Sequence, residues 1–210
     1  MSLRIIGGTL RRRQLKTPHG IVTRPYTDRV RQLVFDRILH VLPQARVADI
    51  YSGVGTMGLE SISRGATSCV FIESTPVVHR SLKENVELLA GESPTLCWKT
   101  DVRYTSFVPK GSDGMLPYTL LFFDPPYADC RQLKSGGVLS KSLSRLARPN
   151  VSSDDALLLL RTPRLFDLPI PVGWQLQECW QVSSMKVWNL IKTERSTLGT
   201  TDGPLTDTDD

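Results

Sequence analysis

From residue 46 onward, short apolar runs alternate with amphipathic stretches. The runs at 47–51 (VADIY), 69–73 (CVFIE), 95–99 (TLCWK), 118–123 (YTLLFF) and 156–161 (ALLLLR) have the length and residue types of buried strands. Between them, residues 57–64, 76–90 and 131–147 repeat apolar positions at helical spacing. Strand and helix in alternation predict βαβ units, and hence a parallel sheet with helices on both faces. Residues 174–182 and 185–191 read as two further strands turned by Ser183-Ser184, an antiparallel closing pair at the sheet edge. Upstream, residues 3–17 read as a β-hairpin turned at Gly7-Gly8, and 18–26 as a loop with Pro18, Gly20 and Pro25. Thr27 or Asp28 caps a helix over 28–41 whose apolar face is Val30, Leu33, Val34, Ile38 and Val41; Pro43 ends it. Residues 196–210 lack apolar periodicity, and disorder is expected there. The chain divides into a basic extension at 1–43, an α/β domain at 44–194 and an acidic tail at 195–210.

Two motifs, whose acidic residues Asp49 and Asp124 are 75 positions apart, sit at the ends of such strands. The first runs Asp49-Ile50-Tyr51-Ser52-Gly53-Val54-Gly55-Thr56-Met57-Gly58. Gly53 and Gly55 permit a tight turn and close backbone approach, and Gly58 lets the next helix pack on the sheet. With Tyr51, Ser52 and Thr56 they make a candidate nucleoside-cofactor turn. Glu73, ending the second strand, is placed to accept ribose hydroxyls. NAD also suits such a turn, but Asp49 disfavours a pyrophosphate. A carboxylate there attracts the sulfonium or amino group of S-adenosylmethionine. Asp101, after the third strand, is a candidate partner for the adenine amino group.

The second motif is Asp124-Pro125-Pro126-Tyr127, at the carboxyl end of the fourth strand, where open α/β sheets carry their sites. Two prolines have fixed φ and no N–H, so they form a stiff ledge that accepts but does not donate. Asp124 and the Pro125 carbonyl can each accept one N–H of an exocyclic amine on a nucleobase. Tyr127 can stack on the ring. Catalysis on such a weak nucleophile rests on positioning and electrostatics, with the proton leaving late to Asp124 or water.

Composition and charge narrow the setting. The chain has 210 residues and 40% apolar content, enough for one sizeable core. No apolar run reaches membrane-spanning length and no secretory leader opens the chain, so a cytoplasmic protein is expected. Cysteines 69, 97, 130 and 179 are scattered and the three histidines form no ligand pattern, so no metal is expected. Net charge is only +5, but residues 1–40 carry nine Arg or Lys against Asp28 and Asp36. Arg4, Arg11, Arg12, Arg13, Lys16 and Arg24 are the candidate contacts to a polyanion. Arg29 and Arg31 do not share a helix face, and Asp28 and Arg31 are spaced to pair locally.

Four segments together resemble the bacterial small-subunit ribosomal RNA guanine-N2 methyltransferases of the RsmD type. They are Arg4-Ile5-Ile6-Gly7-Gly8 with Arg11 and Arg13; Thr23-Arg24-Pro25 with Asp28-Arg29-Val30-Arg31; Gly58-Leu59-Glu60 with Ser63-Arg64-Gly65-Ala66; and Asp124-Pro125-Pro126-Tyr127. The resemblance runs from Arg4 to about residue 193. It implies a Rossmann-like, S-adenosylmethionine-dependent methyltransferase fold with an N-terminal hairpin and helix. It also implies methylation of a guanine amino group in 16S rRNA, at position 966 in standard rRNA numbering, in the small ribosomal subunit or an assembly intermediate, by a monomer. By position, Asp49, Gly53, Gly55, Glu73 and Asp101 match cofactor residues and Asp124 to Tyr127 the catalytic motif. The chain departs from the pattern at Tyr26, Gln32, Val54, Ser74-Thr75 and Met185. Two other readings stand beside it: a DNA adenine or cytosine amino-group methyltransferase, and a non-catalytic RNA-binding protein on this fold.

Overall fold

A computed structural model of the chain describes residues 3–18 and 27–193. The expected loop at 18–26, including Arg24 but for Pro18, and the expected acidic tail lie outside the described residues. One sheet of seven strands organises the molecule, in the order β3-β2-β1-β4-β5-β7-β6. The strands are β1 (Arg46–Ile50), β2 (Ser68–Ile72), β3 (Thr95–Trp98), β4 (Tyr118–Phe123), β5 (Ser152–Pro163), β6 (Trp174–Val182) and β7 (Met185–Lys192). The first five pair in parallel, and β7 joins both β5 and β6 antiparallel. The sheet is open, with helices on both faces, as the apolar runs predict.

Alternation along the strands creates the two cores. Val47, Cys69, Phe71, Leu120, Phe122, Leu157 and Leu159 face one layer. Here they meet α1 (Asp28–Arg37), α2 (Thr56–Ser63) and α3 (Pro76–Leu89). Ala48, Ile50, Val70, Leu121, Phe123, Leu158 and Leu160 face the other, against α4 (Val138–Leu146). Central strands buried on both faces read as continuous apolar runs for this reason.

Three local expectations need revision. The predicted helix at 131–147 is a 3-10 segment over Tyr127–Leu133 followed by α4. Gly136, at φ +78°, breaks the run. A side chain at Gly137 would strike the Gln132 carbonyl. The helix expected over 28–41 ends as α1 at Arg37, with a separate 3-10 turn at Leu39–Val41; its cap is Thr27, whose hydroxyl accepts the Val30 N–H. The N-terminal hairpin forms: Arg4 bridges Gln14, and the Ile5, Arg12 and Leu15 N–H groups donate across it to the Arg13, Ile5 and Leu3 carbonyls. No ladder forms at Gly7-Gly8, because the Ile6 and Gly7 N–H groups both donate to Glu60 of α2 at 2.8 Å. The extension is therefore a strap docked on α2 rather than a free hairpin. Ser63 extends the seam: its hydroxyl accepts from the Leu10 N–H and its carbonyl from the Thr9 N–H.

Candidate active site

The chain crosses over between β1 and β4, so these neighbouring strands lead away in opposite directions. Such a switch point opens a crevice beyond the carboxyl ends of the strands. A cleft of about 670 Å³ lies there. Sheet register decides what meets in it. Ile50 pairs with Ile72 and Phe123, which sets Tyr51 beside Glu73 and Asp124. Phe123 pairs with Leu160, which sets Asp124 beside Arg161.

The glycine turn takes the conformation its composition requires. Gly53 and Gly55 have φ of +56° and +91°, and Gly55 caps α2 in the left-handed region. Gly58 packs its Cα hydrogens against Phe71 and Cys69, where a Cβ would collide. Asp49 is buried and accepts the Gly58 N–H at 2.8 Å. Burial pushes its carboxyl up to about 7 despite that hydrogen bond, with smaller repulsion from Asp124 and Glu73. A buried acid held near neutrality beside a cleft is an environment that welcomes a cation. Glu73 accepts the Gly53 N–H at 3.1 Å and the Thr75 N–H at 2.8 Å. A carboxylate offers about four lone-pair sites, so it can still take hydroxyl donors. Asp49, Tyr51, Ser52, Gly53, Thr56, Glu73 and Asp101 all line the cleft; Gly55 and Gly58 shape it from behind.

Asp101 reaches the cleft wall already engaged. The Arg103 guanidinium grips both its oxygens at 2.6–3.0 Å and the Arg103 N–H adds a bond at 2.9 Å. That grip holds its carboxyl below the usual range. An adenine amino group approaching Asp101 must compete with Arg103, a residue the sequence pattern did not single out.

On the opposite wall stand Asp124, Pro126 and Tyr127. The Asp124 N–H donates to the Ile50 carbonyl at 3.2 Å, tying the motif to β1. Pro125 is buried behind the wall, while Pro126 is exposed and its carbonyl accepts the Asp129 N–H. Asp124 forms an ion pair with Arg161 of β5. Burial pushes its carboxyl up to about 6, and Arg161 opposes that rise. The Arg161 guanidinium also lies 5.4 Å from the centre of the Tyr127 ring. Arg161 was read from the sequence only as the last residue of a strand; the register with β4 is what gives it a place in the site.

The basic extension is partly neutralised from within. Arg4 pairs with Asp28 at 3.0 Å, as does Lys16 with Glu84. Arg31 is fully buried and pairs with Asp28 at 2.7 Å, in line with its spacing. Arg11, Arg12 and Arg13 are exposed and have no carboxylate partner among the described residues. Leu3, Thr17 and Pro18 of the same strap line the cleft, so the extension forms part of its wall.

The strand order, switch-point cleft and glycine turn define a Rossmann-like fold of the methyltransferase class. The solved structure of Escherichia coli yhhF superposes with a TM-score of 0.74 at 27% identity, covering 91% of this chain and 98% of that one. The chain belongs to the family described as conserved hypothetical protein 95, whose model matches residues 3–178, together with ribosomal RNA small subunit methyltransferase D of E. coli K12. It is 30% identical to that relative over 175 residues, 83% of this chain and 82% of the relative. To the protein of the same name from Haemophilus influenzae it is 26% identical over 176 residues, covering 83% and 86%. Among the described residues, no helix is long and apolar enough to cross a membrane.

Proposed function

We propose that this chain transfers a methyl group from S-adenosylmethionine to the exocyclic N2 amino group of a guanine in 16S rRNA. The observation that carries this reading is one cleft with Asp49 and Glu73 on one wall and Asp124, Pro126 and Tyr127 on the other. The residues present fit the cofactor. Asp49, buried and raised toward neutrality, suits its cationic end, Glu73 its ribose hydroxyls, and the glycine turn close approach of its main chain. When bound there, the cofactor supplies an electrophilic methyl group.

The chain's own part is positional. Asp124, ionised at neutral pH because its carboxyl titrates at about 6, accepts an N–H of the amine and turns its lone pair toward the cofactor wall. Pro125 and Pro126 hold that carboxylate on a stiff support without offering a competing N–H. Tyr127 gives the base a flat surface. As the amine commits its lone pair to the new bond its proton becomes acidic, and Asp124, poised near operating pH, is suited to receive it. A guanine in a folded RNA must leave its stack to reach this depth, which favours a loop or bulge as target.

Residues 1–43 act as the RNA-contacting extension, with Arg11, Arg12 and Arg13 as its uncommitted charges and Arg4, Lys16 and Arg24 as further candidate contacts; residues 44–194 form the catalytic domain. The names of the E. coli and H. influenzae relatives support small-subunit ribosomal RNA as substrate. We further assign the protein to the cytoplasm as a monomer acting on the small subunit or its assembly intermediate. The test is transfer of labelled methyl from S-adenosylmethionine to small-subunit particles, naked 16S rRNA and genomic DNA. Label in particle or RNA is expected; label in DNA alone would overturn the reading.

A further inference from the structure

Arg161 enters the cleft from β5, outside both motifs, and meets the first and last residues of the Asp-Pro-Pro-Tyr wall. It pairs with the Asp124 carboxylate and lies over the Tyr127 ring. It is rigidly delivered: its side chain is 8% exposed, and its strand is paired on both sides, with Val187 of β7 opposite it. A planar guanidinium can grip a carboxylate and lie along an aromatic ring at the same time, which an ammonium does not do.

We propose that Arg161 is a positioning residue for methyl transfer: it fixes the Asp124 carboxylate in its ionised form and supports the Tyr127 ring that receives the target base. This rests on the proposed function of the cleft. Among the described residues, the charged or titratable groups that face Asp124 are Arg161 from β5, Asp49 from β1 and Cys130 from the 3-10 segment. Asp49 repels an ionised Asp124, and Cys130, its own thiol raised to about 11, is neutral at working pH. Arg161 is therefore the one cation in that set. Without it, burial drives Asp124 toward the protonated form, which presents an O–H where the amine needs an acceptor. The Tyr127 ring would also lose its backing and the base its fixed plane.

The experiment compares the unaltered protein with Arg161→Lys, Arg161→Gln and Arg161→Met in two measurements. The first is the pH profile of single-turnover methyl transfer. For Gln and Met the acid limb should move from near pH 6 to above pH 7, with activity at pH 7 reduced about tenfold for each unit by which the limb passes pH 7, and regained at pH 9. Lys, which keeps the charge, should hold the acid limb near its original place while transferring more slowly, since it does not support the ring. A variant that merely loosened the fold would lose activity evenly across pH. The second measurement is a carbon-13 NMR titration of the Asp124 carboxyl, assigned with Asp124→Asn, which needs no substrate. An Asp124 titration unchanged in Arg161→Gln, or a pH profile unchanged in all three variants, would overturn the role of Arg161. Absence of transfer by the unaltered protein would instead overturn the functional reading, and the titration would still decide whether Arg161 sets the charge of Asp124.

Discussion

Glu60 is fully buried and holds three donors: the Ile6 and Gly7 N–H groups at 2.8 Å each and the Arg64 Nε at 2.7 Å. Replacing it with alanine leaves all three donors without their acceptor at once. Hydrogen bonds to a charged group contribute about 1.5–3 kcal/mol each, so the three sum to more than about 4 kcal/mol. The loss has a ceiling, because the strap can detach and rehydrate its amides. Detachment exposes Ile5 and Leu15, both buried, at about 1.5–3 kcal/mol apiece. Both routes give a destabilisation of about 4 kcal/mol for Glu60→Ala. Glu60→Gln keeps one acceptor but turns an amide N–H₂ toward a donor, for about 2 kcal/mol. Urea unfolding measures the totals, and amide hydrogen exchange at Ile6 and Gly7 reports whether the strap lets go before the sheet unfolds. A change below about 0.5 kcal/mol with undiminished protection of those two amides would refute the reasoning.

Other consequences are as direct. Asp49 titrates at about 7 in the ligand-free protein, and a bound cation favours its ionised form; binding below pH 7 must therefore expel a proton. Affinity for S-adenosylmethionine should rise up to about tenfold per pH unit below 7 and level off above it, with the released proton visible by calorimetry in buffers of different ionisation enthalpy; a flat affinity from pH 5.5 to 8 would exclude Asp49 from the cation site. Gly58→Ala forces a methyl group into Phe71 and Cys69, an overpacking of about 1–3 kcal/mol, measurable as a lowered Tm. Replacing Arg11, Arg12 and Arg13 together with alanine should reduce the log–log salt slope of RNA binding by about 2 units, read by filter binding; an unchanged slope would move the RNA contact elsewhere.

The parts of the molecule that were legible in the sequence are those set by local patterning. Runs such as YTLLFF at 118–123 and WQLQECWQV at 174–182 give the bounds of β4 and β6 to the residue, because apolar period and strand length leave little else. The glycine turn was legible because its φ values admit few residues besides glycine. The break in the helix expected at 131–147 falls at Lys134-Ser135-Gly136-Gly137, a stretch without apolar positions whose glycine pair is a breaker signal that the apolar positions on either side outweighed. The relation between Asp124 and Arg161, like that between Asp101 and Arg103, belongs to strand register and side-chain reach, which composition does not encode. One link has a physical explanation only in three dimensions. The segments Arg4-Ile5-Ile6-Gly7-Gly8 and Gly58-Leu59-Glu60 with Ser63-Arg64 stand far apart in the chain. They meet in the structure, with Glu60 and Ser63 binding the strap backbone and Gly7 and Gly8 packed too closely on Arg64 and Ser63 for a Cβ.

The central claim is that this cleft presents a guanine amine to a methyl donor on the Asp124 wall. Mass-spectrometric identification of the nucleoside formed when the protein and S-adenosylmethionine are incubated with unmodified small-subunit RNA or particles tests it most directly. N2-methylguanosine, formed by the unaltered protein and lost with Asp124→Asn, is the predicted result; a methylated adenosine or cytidine, or N2-methylguanosine undiminished in that variant, would contradict it.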